Sequence, residues 1–151
     1  MKKFYLLAIL LLVLFAAPPL ARAQGNAKQG PDVVRDPDLE KDSLHNLEVA
    51  RHYFKLRKAY IAALQRCEEI IAGNPVFSKI DEVLFIAGES SLRLAENRGK
   101  QASKVTSDKL RGDARDYLSQ LVNGYPDSVF RKQADEDLKG LGGPKPKDSK
   151  Q

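Results

Sequence analysis

The chain has 151 residues, a length that predicts a single domain. Its formal charge of +5 gives little support for nucleic-acid binding, because Lys2, Lys3 and Arg22 lie in a targeting segment, and without them the charge is about +2. The single cysteine, Cys67, excludes a disulfide within the chain, so the core alone must stabilise the fold.

The N-terminal residues have the features of an export signal. The basic pair Lys2 and Lys3 precedes a nearly aliphatic run over residues 6–17, and Ala21-Arg22-Ala23 is an A-x-A cleavage site. Residues 1–23 are therefore predicted to be a signal peptide, which places the mature protein in the periplasm, free or peripheral to the outer membrane. The alternative is a retained membrane anchor, although the apolar run is short for a span.

The segment that follows the signal predicts a spacer and then helices. Residues 24–36 contain glycine and proline and few apolar groups, which is typical of a flexible spacer. A helix is expected from Pro37, with Asp36 as its cap, and the helical apolar pattern loses its phase near residues 57–59. A second helix is expected to begin near Tyr60.

Residues 63–75 and 114–126 carry the same pattern of residues. Each block has apolar residues at helical spacing and ends in Gly-x-Pro, which stops a helix. Six pairs of positions match in kind: Ala63 with Ala114, Cys67 with Leu118, Ile70 with Leu121, Ile71 with Val122, Gly73 with Gly124, and Pro75 with Pro126. A helix-ending unit that recurs once per hairpin is typical of an α-solenoid, a class that usually binds other proteins.

Three more helices are expected in the second half of the chain. They cover Ile80 to about Asn97, residues 107–123, and Val129 to about Lys139, with a polar loop over residues 98–107. Gly88 lies within the first of these helices, where it would let a neighbouring helix approach closely. No segment alternates like a strand, so we expect an all-α domain over residues 37–140. Residues 141–151, rich in Gly, Pro and Lys, are predicted to form a disordered tail.

The pattern resembles tetratricopeptide repeats, in which a small residue opens the second helix of each hairpin and a proline closes it. The positions that carry this resemblance are Tyr60, Ala63, Cys67, Pro75, Gly88, Ala114, Leu118 and Pro126. The phrase Gly124-Tyr125-Pro126-Asp127-Ser128 is similar to the repeats of the BamD or ComL outer-membrane-assembly lipoprotein family, although the lipid-acceptor cysteine of that family is absent. The resemblance implies a short α-solenoid of about two repeats plus a C-terminal helix.

No catalytic or cofactor-binding pattern is found in the sequence. His45, Glu48 and His52 are spaced along one helix, and a solvated helix face explains them better than a zinc site does. The pair Glu68-Glu69 is adjacent on a helix, so its carboxylates point apart and do not form an acid/base couple. We therefore expect no enzyme activity, no metal and no cofactor.

The expected function is a non-catalytic scaffold that binds envelope proteins or peptides, in outer-membrane protein assembly or cell-envelope biogenesis. By analogy with repeat scaffolds, the partner is expected on the inner face formed by the first helix of each hairpin. The candidate residues, all expected on the solvent side, are His45, Glu48, His52, Lys55, Glu82, Ile86 and Glu89. The alternative is a structural oligomerisation module, because a thin core with two open ends could be covered by a second copy.

The exported protein is predicted to begin at Gln24 and to carry no lipid, because the A-x-A site is followed by no acceptor cysteine. Intact-mass measurement of the protein purified from the periplasmic fraction checks this prediction. A mass that includes Met1 or an acyl chain would contradict it.

Overall fold

The computed structural model describes residues 34–146, and this part of the chain forms five α-helices. The helices are α1, Pro37–Arg51; α2, Tyr60–Gly73; α3, Ile80–Ala95; α4, Ser107–Gly124; and α5, Arg131–Gly140. A short π-helical segment, His52–Arg57, follows α1 directly. No strand occurs between residues 34 and 146, and the all-α prediction is confirmed.

Several expectations lie outside the described residues. The predicted signal peptide, residues 24–33 of the spacer and residues 147–151 of the tail belong to this group. The end of the spacer contacts the turn between α2 and α3, because Arg35 Nε donates a hydrogen bond of 3.0 Å to the Val76 carbonyl. None of the helices described for residues 34–146 combines the length and the apolar character needed to cross a membrane.

The first helical segment begins and ends at the positions predicted from the sequence. Asp36 caps α1, as Oδ1 accepts hydrogen bonds from the amides of Asp38, at 2.8 Å, and Leu39, at 3.3 Å. The segment ends at Lys58, which has a left-handed backbone with φ 51°. The Ala59 amide then donates to the Tyr53 carbonyl, and α2 begins one residue later. Glycine is the residue best suited to a left-handed backbone, so the turn holds Lys58 in this conformation at some cost in free energy.

Helix α3 lies at the centre of the domain. Twelve of its sixteen residues are buried, and the run from Val83 to Ser91 is buried without interruption. Helices α2 and α4 pack along it, and the Phe130 ring beside the start of α5 stacks on Phe85 at 4.8 Å between ring centroids. A helix covered on several sides cannot present the single apolar stripe expected of a surface helix.

The repeated sequence block has the same backbone geometry in both copies. After α2, Asn74 N donates to Ile70 O, Phe77 N to Asn74 O, and Ile80 N to Phe77 O. The same three bonds recur after α4, 51 positions later. They link Tyr125 to Leu121, Ser128 to Tyr125, and Arg131 to Ser128. Gly73 and Gly124 are the last residues of their helices, and both copies continue with one kind of turn that starts α3 and α5 in the same register.

The close approach expected at Gly88 is present. A Cβ added there would lie 2.6 Å from Leu118 Cγ and 2.7 Å from its Cδ2. Leu118 is fully buried, as are Ala63, Cys67 and Ala114. Gly88 therefore lies at the crossing of α3 and α4 opposite Leu118 and the Ala114 carbonyl, where the missing side chain lets the helix axes approach.

The tail prediction is wrong for residues 141–146. Leu141 packs against the core, and Arg115 Nε of α4 donates to the Gly143 carbonyl at 2.7 Å. Lys145 N donates to Ser119 Oγ at 2.8 Å, and Asn123 Nδ2 donates to the Lys145 carbonyl at 2.9 Å. A Gly/Pro/Lys composition gives no core residues, but backbone hydrogen bonds do not depend on side-chain hydrophobicity. Residues 141–146 are called the C-terminal strap below.

Replacing Gly88 by alanine should lower the free energy of unfolding by about 1–3 kcal/mol, because the new methyl group would overlap the buried Leu118 side chain. Chemical denaturation measures this change. Gly112→Ala is the matched control, since a Cβ at that helical glycine meets nothing within 4 Å. The control should raise stability by about 0.5–1 kcal/mol, because alanine favours helix over glycine. Equal gains for both variants would contradict the close approach.

Candidate partner-binding surface

The first helix presents its predicted residues to solvent. His45 and Glu48 of α1 are exposed, and so are His52 and Lys55 of the π-helical segment. Beside them, Leu44 is 37% exposed, and Leu39, nearer the start of the helix, is 45% exposed. Helix α1 packs mainly against α2, with a smaller contact to α3. The exposed side formed by Leu44, His45 and Glu48 is called the α1 flank below, and it has one apolar side chain among polar and charged ones. Leu39 lies five positions before Leu44, about 140° away around the helix axis, and is not part of this side.

The second group of candidates does not form a free surface, and its expected exposure is wrong. Ile86 is 2% exposed and Glu89 is 4% exposed. Glu82 is partly buried and forms a two-bond ion pair with Arg51 of α1, at 2.6 Å from Nε and 2.5 Å from Nη2. These hydrogen bonds hold the pKa of the Glu82 carboxyl below its ordinary value, against the opposing effect of burial. Glu82 therefore ties α3 to α1.

Glu89 belongs to a second polar cluster, which lies between α3 and α5. Its carboxylate accepts two hydrogen bonds from Arg93, at 3.0 Å from Nε and 2.5 Å from Nη2. The Arg93 guanidinium also lies over the rings of Phe54 and Tyr60, 5.2 and 5.6 Å from their centroids. Asp137 of α5 faces Glu89 from the other side. A buried helix needs these partners, because an unpaired carboxylate inside a protein is strongly destabilising.

Asp137 has an unusual acidity. Its pKa is raised from 3.8 to about 7, with burial as the largest cause, the facing Glu89 adding to the rise and Arg93 opposing it. Its Oδ2 atom is buried and has no hydrogen-bond partner within the described residues. A proton on Asp137 would let its carboxyl donate a hydrogen bond to Glu89. The protonated form of Asp137 is therefore favoured beside the Glu89 carboxylate.

Sequence reasoning missed three members of these clusters, Arg51, Arg93 and Asp137. One pair had a local signal, since Glu89 and Arg93 are four positions apart on a helix. The other contacts join helices that are distant in sequence, as with Arg51 and Glu82. The two prolines of the repeat pattern, Pro75 and Pro126, are exposed at the turns and do not enter either cluster.

The thiol of the chain is shielded from solvent. Cys67 is fully buried, and burial, the largest of the causes, raises the pKa of its thiol to about 12, so the nucleophilic thiolate is scarce at neutral pH. Between residues 34 and 146, no group of three or more His, Cys, Asp and Glu side chains has an arrangement that could hold a metal ion.

Comparison of the chain with protein-family models, curated proteins and solved structures finds no match.

Stability should fall as pH rises from about 4 to about 7 through the titration of Asp137. The pKa of Asp137 is higher in the folded state than in the unfolded state, so the folded protein binds this proton more tightly. The bound proton stabilises the fold fully below the pKa that Asp137 has in the unfolded state. This stabilisation is lost as the pH rises through the pKa of the folded state. Thermal melting as a function of pH measures this. Asp137→Asn should flatten the dependence in that range, whereas Glu136→Gln, at an exposed neighbour, should keep it. An unchanged slope in the Asp137 variant would show that this pair does not titrate as described.

Proposed function

We propose that this protein is a non-catalytic helical-repeat scaffold that binds another protein of the cell envelope, in outer-membrane assembly or envelope biogenesis. The observation that carries the proposal is the α1 flank, an exposed helix face with both apolar and charged side chains. Exposed His45 and Glu48 lie next to the partly exposed Leu44, and no other described helix covers them. Interfaces commonly combine such an apolar centre with a polar rim.

The repeat geometry supports a scaffold of the tetratricopeptide kind. Helices pack mainly against their neighbours along the chain, and the turn after α2 recurs after α4. Nearest-neighbour packing is the property that lets repeat proteins present helix faces as docking surfaces. The resemblance to the BamD or ComL family supplies the envelope role, and the predicted export signal agrees with it.

The contacts of α3 narrow the choice of binding surface. In the tetratricopeptide model, the partner lies in a groove lined by the first helices of successive hairpins. Here Glu82 and Glu89 are engaged by Arg51 and Arg93, and Ile86 is buried. A partner in that position would have to break two ion pairs, which costs more than binding a surface that is already open. The α1 flank is therefore the better docking surface.

The partner that fits best is a helix or short peptide with both apolar and charged side chains. Leu44 would supply the apolar contact, and His45 and Glu48 the rim. Rim charges of this kind control association rate and salt dependence more than affinity.

A second candidate function is self-association. Leu44, 37% exposed, is an apolar side chain that a second copy of the chain could cover through a two-fold contact between α1 flanks. Light scattering of the purified protein distinguishes the two functions, since a scaffold without its partner should be a monomer.

The test uses site-specific photocrosslinking in living cells. A photoreactive amino acid at His45 should crosslink to an envelope protein, whereas one at Gln65, exposed on α2, should not. The double variant His45→Ala with Glu48→Ala should weaken binding to the protein so identified by about tenfold, ~1.4 kcal/mol, because it removes exposed contacts and leaves the core unchanged.

The matched control is Gln65→Ala with Glu69→Ala, two exposed positions on α2. This control should bind the partner as the wild type does, and both double variants should keep the wild-type melting temperature. Crosslinks from Gln65 but not His45 would contradict the use of the α1 flank. Crosslinks only between copies of the chain would favour self-association.

A further inference from the structure

A group of basic side chains lies where the turn after the π-helical segment meets the loop after α3. The group, called the basic patch below, consists of Lys55, Arg57, Lys58, Arg98 and Lys100, all exposed. Gly99 brings the two segments together, since a Cβ added there would lie 3.1 Å from the Lys58 carbonyl oxygen and 2.8 Å from the Tyr60 ring. Arg57, Lys58 and Lys100 are therefore brought close together, and Lys55 and Arg98 lie next to them in sequence.

Acidic side chains neutralise little of this charge. Glu96 pairs with Arg98, at 3.3 Å. No carboxylate of residues 34–146 forms an ion pair with Lys55, Arg57, Lys58 or Lys100, whereas most arginines elsewhere on α1 to α5 are paired with one. Concentrated positive charge without internal partners attracts anions from solution.

The patch also has a shallow cavity of about 390 Å³. Its lining includes His52, Tyr53, Arg57 and Lys100, and no acidic residue lines it. Arg57 Nε donates to His52 Nε2 at 3.2 Å, which orients the guanidinium and leaves its two terminal nitrogens to donate to a ligand. A guanidinium and an ammonium on one cavity are suited to a phosphate group.

One apolar side chain stands beside these cations. Leu56 is 74% exposed, and Lys55, Arg57 and Lys58 adjoin it in sequence. An exposed leucine among basic residues is suited to binding the surface of an anionic bilayer. There the cations contact the lipid phosphates, and the apolar side chain enters the boundary between headgroups and acyl chains. A soluble phosphate compound would gain nothing from Leu56.

We propose that the basic patch binds the phosphate groups of an anionic lipid bilayer, with Leu56 inserted between the headgroups. Arg57 and Lys100 hold a headgroup phosphate at the cavity, and Lys55 and Lys58 contribute attraction to the surface charge. This contact orients the protein on a membrane with the turn at residues 55–59 facing the lipid. It is independent of the partner proposed for the α1 flank, because it requires lipid and no second protein.

Cosedimentation with vesicles tests the proposal. The full chain should bind vesicles of phosphatidylcholine mixed with phosphatidylglycerol more tightly than vesicles of phosphatidylcholine alone, and the difference should shrink as salt is raised. The apolar N-terminal segment is common to all variants, and the neutral vesicles measure its contribution. Arg57→Gln with Lys100→Gln should weaken the binding that depends on anionic lipid by about twenty-five-fold, at about fivefold for each cation. Leu56→Ser should weaken it by about fivefold to tenfold.

The matched control is Lys132→Gln with Lys139→Gln, which removes the same charge from exposed positions of α5. This control should bind as the wild type does, and all variants should keep the wild-type circular dichroism and melting temperature. An equal loss in the control would overturn the proposal, because binding would then follow net charge alone. Equal binding to neutral and anionic vesicles would overturn it too. So would binding of inorganic phosphate at His52 and Arg57, followed by NMR, without any binding to anionic vesicles.

Discussion

The burial of α3 on several sides is the constraint on which the rest of the fold depends. Its axis approaches α4 closely because Gly88 has no side chain opposite Leu118. Phe85 stacks on Phe130, which positions the start of α5. Because no long stretch of α3 reaches solvent, each of its two engaged carboxylates requires a cation, which Arg51 supplies from α1 and Arg93 from α3 itself. The packing of one helix thus determines which charges are exposed and which are structural.

Part of this fold could be predicted from the sequence because its signals are local. The cap at Asp36, the break in the helical pattern near residues 57–59 and the Gly-x-Pro stops all act within a few residues. The exposure of Glu82, Ile86 and Glu89 could not be predicted, because a periodic pattern identifies one apolar stripe and does not show that neighbours cover the other faces. The pairing of Arg51 with Glu82 spans 31 positions and two helices, so no local pattern contained it. The partner-binding role of the α1 residues stays a prediction.

The two polar clusters of α3 respond to protons in opposite directions. The pKa of Glu82 is lowered, so its contribution to stability is lost in acid. The pKa of Asp137 is raised, so its contribution is lost toward neutral pH. One cluster fastens α1 to α3 and the other lies between α3 and α5. Lower pH therefore weakens the attachment of α1 to α3, and higher pH weakens that of α5 to α3. Local opening at α1 and local opening at α5 should accordingly depend on pH in opposite directions.

The C-terminal strap has a position that the repeat explains. On α2, Glu68 accepts a hydrogen bond from Tyr117 of α4, so this flank of α2 faces the next helix of its kind. The equivalent position on α4 is Ser119, and it accepts a hydrogen bond from Lys145 of the strap. The strap therefore contacts α4 at the position equivalent to the one where α4 contacts α2. The strap thus covers this side of α4. Without those six residues, the Ser119 side of α4 would be open, and an open helix face of this kind can join copies of a chain head to tail into filaments.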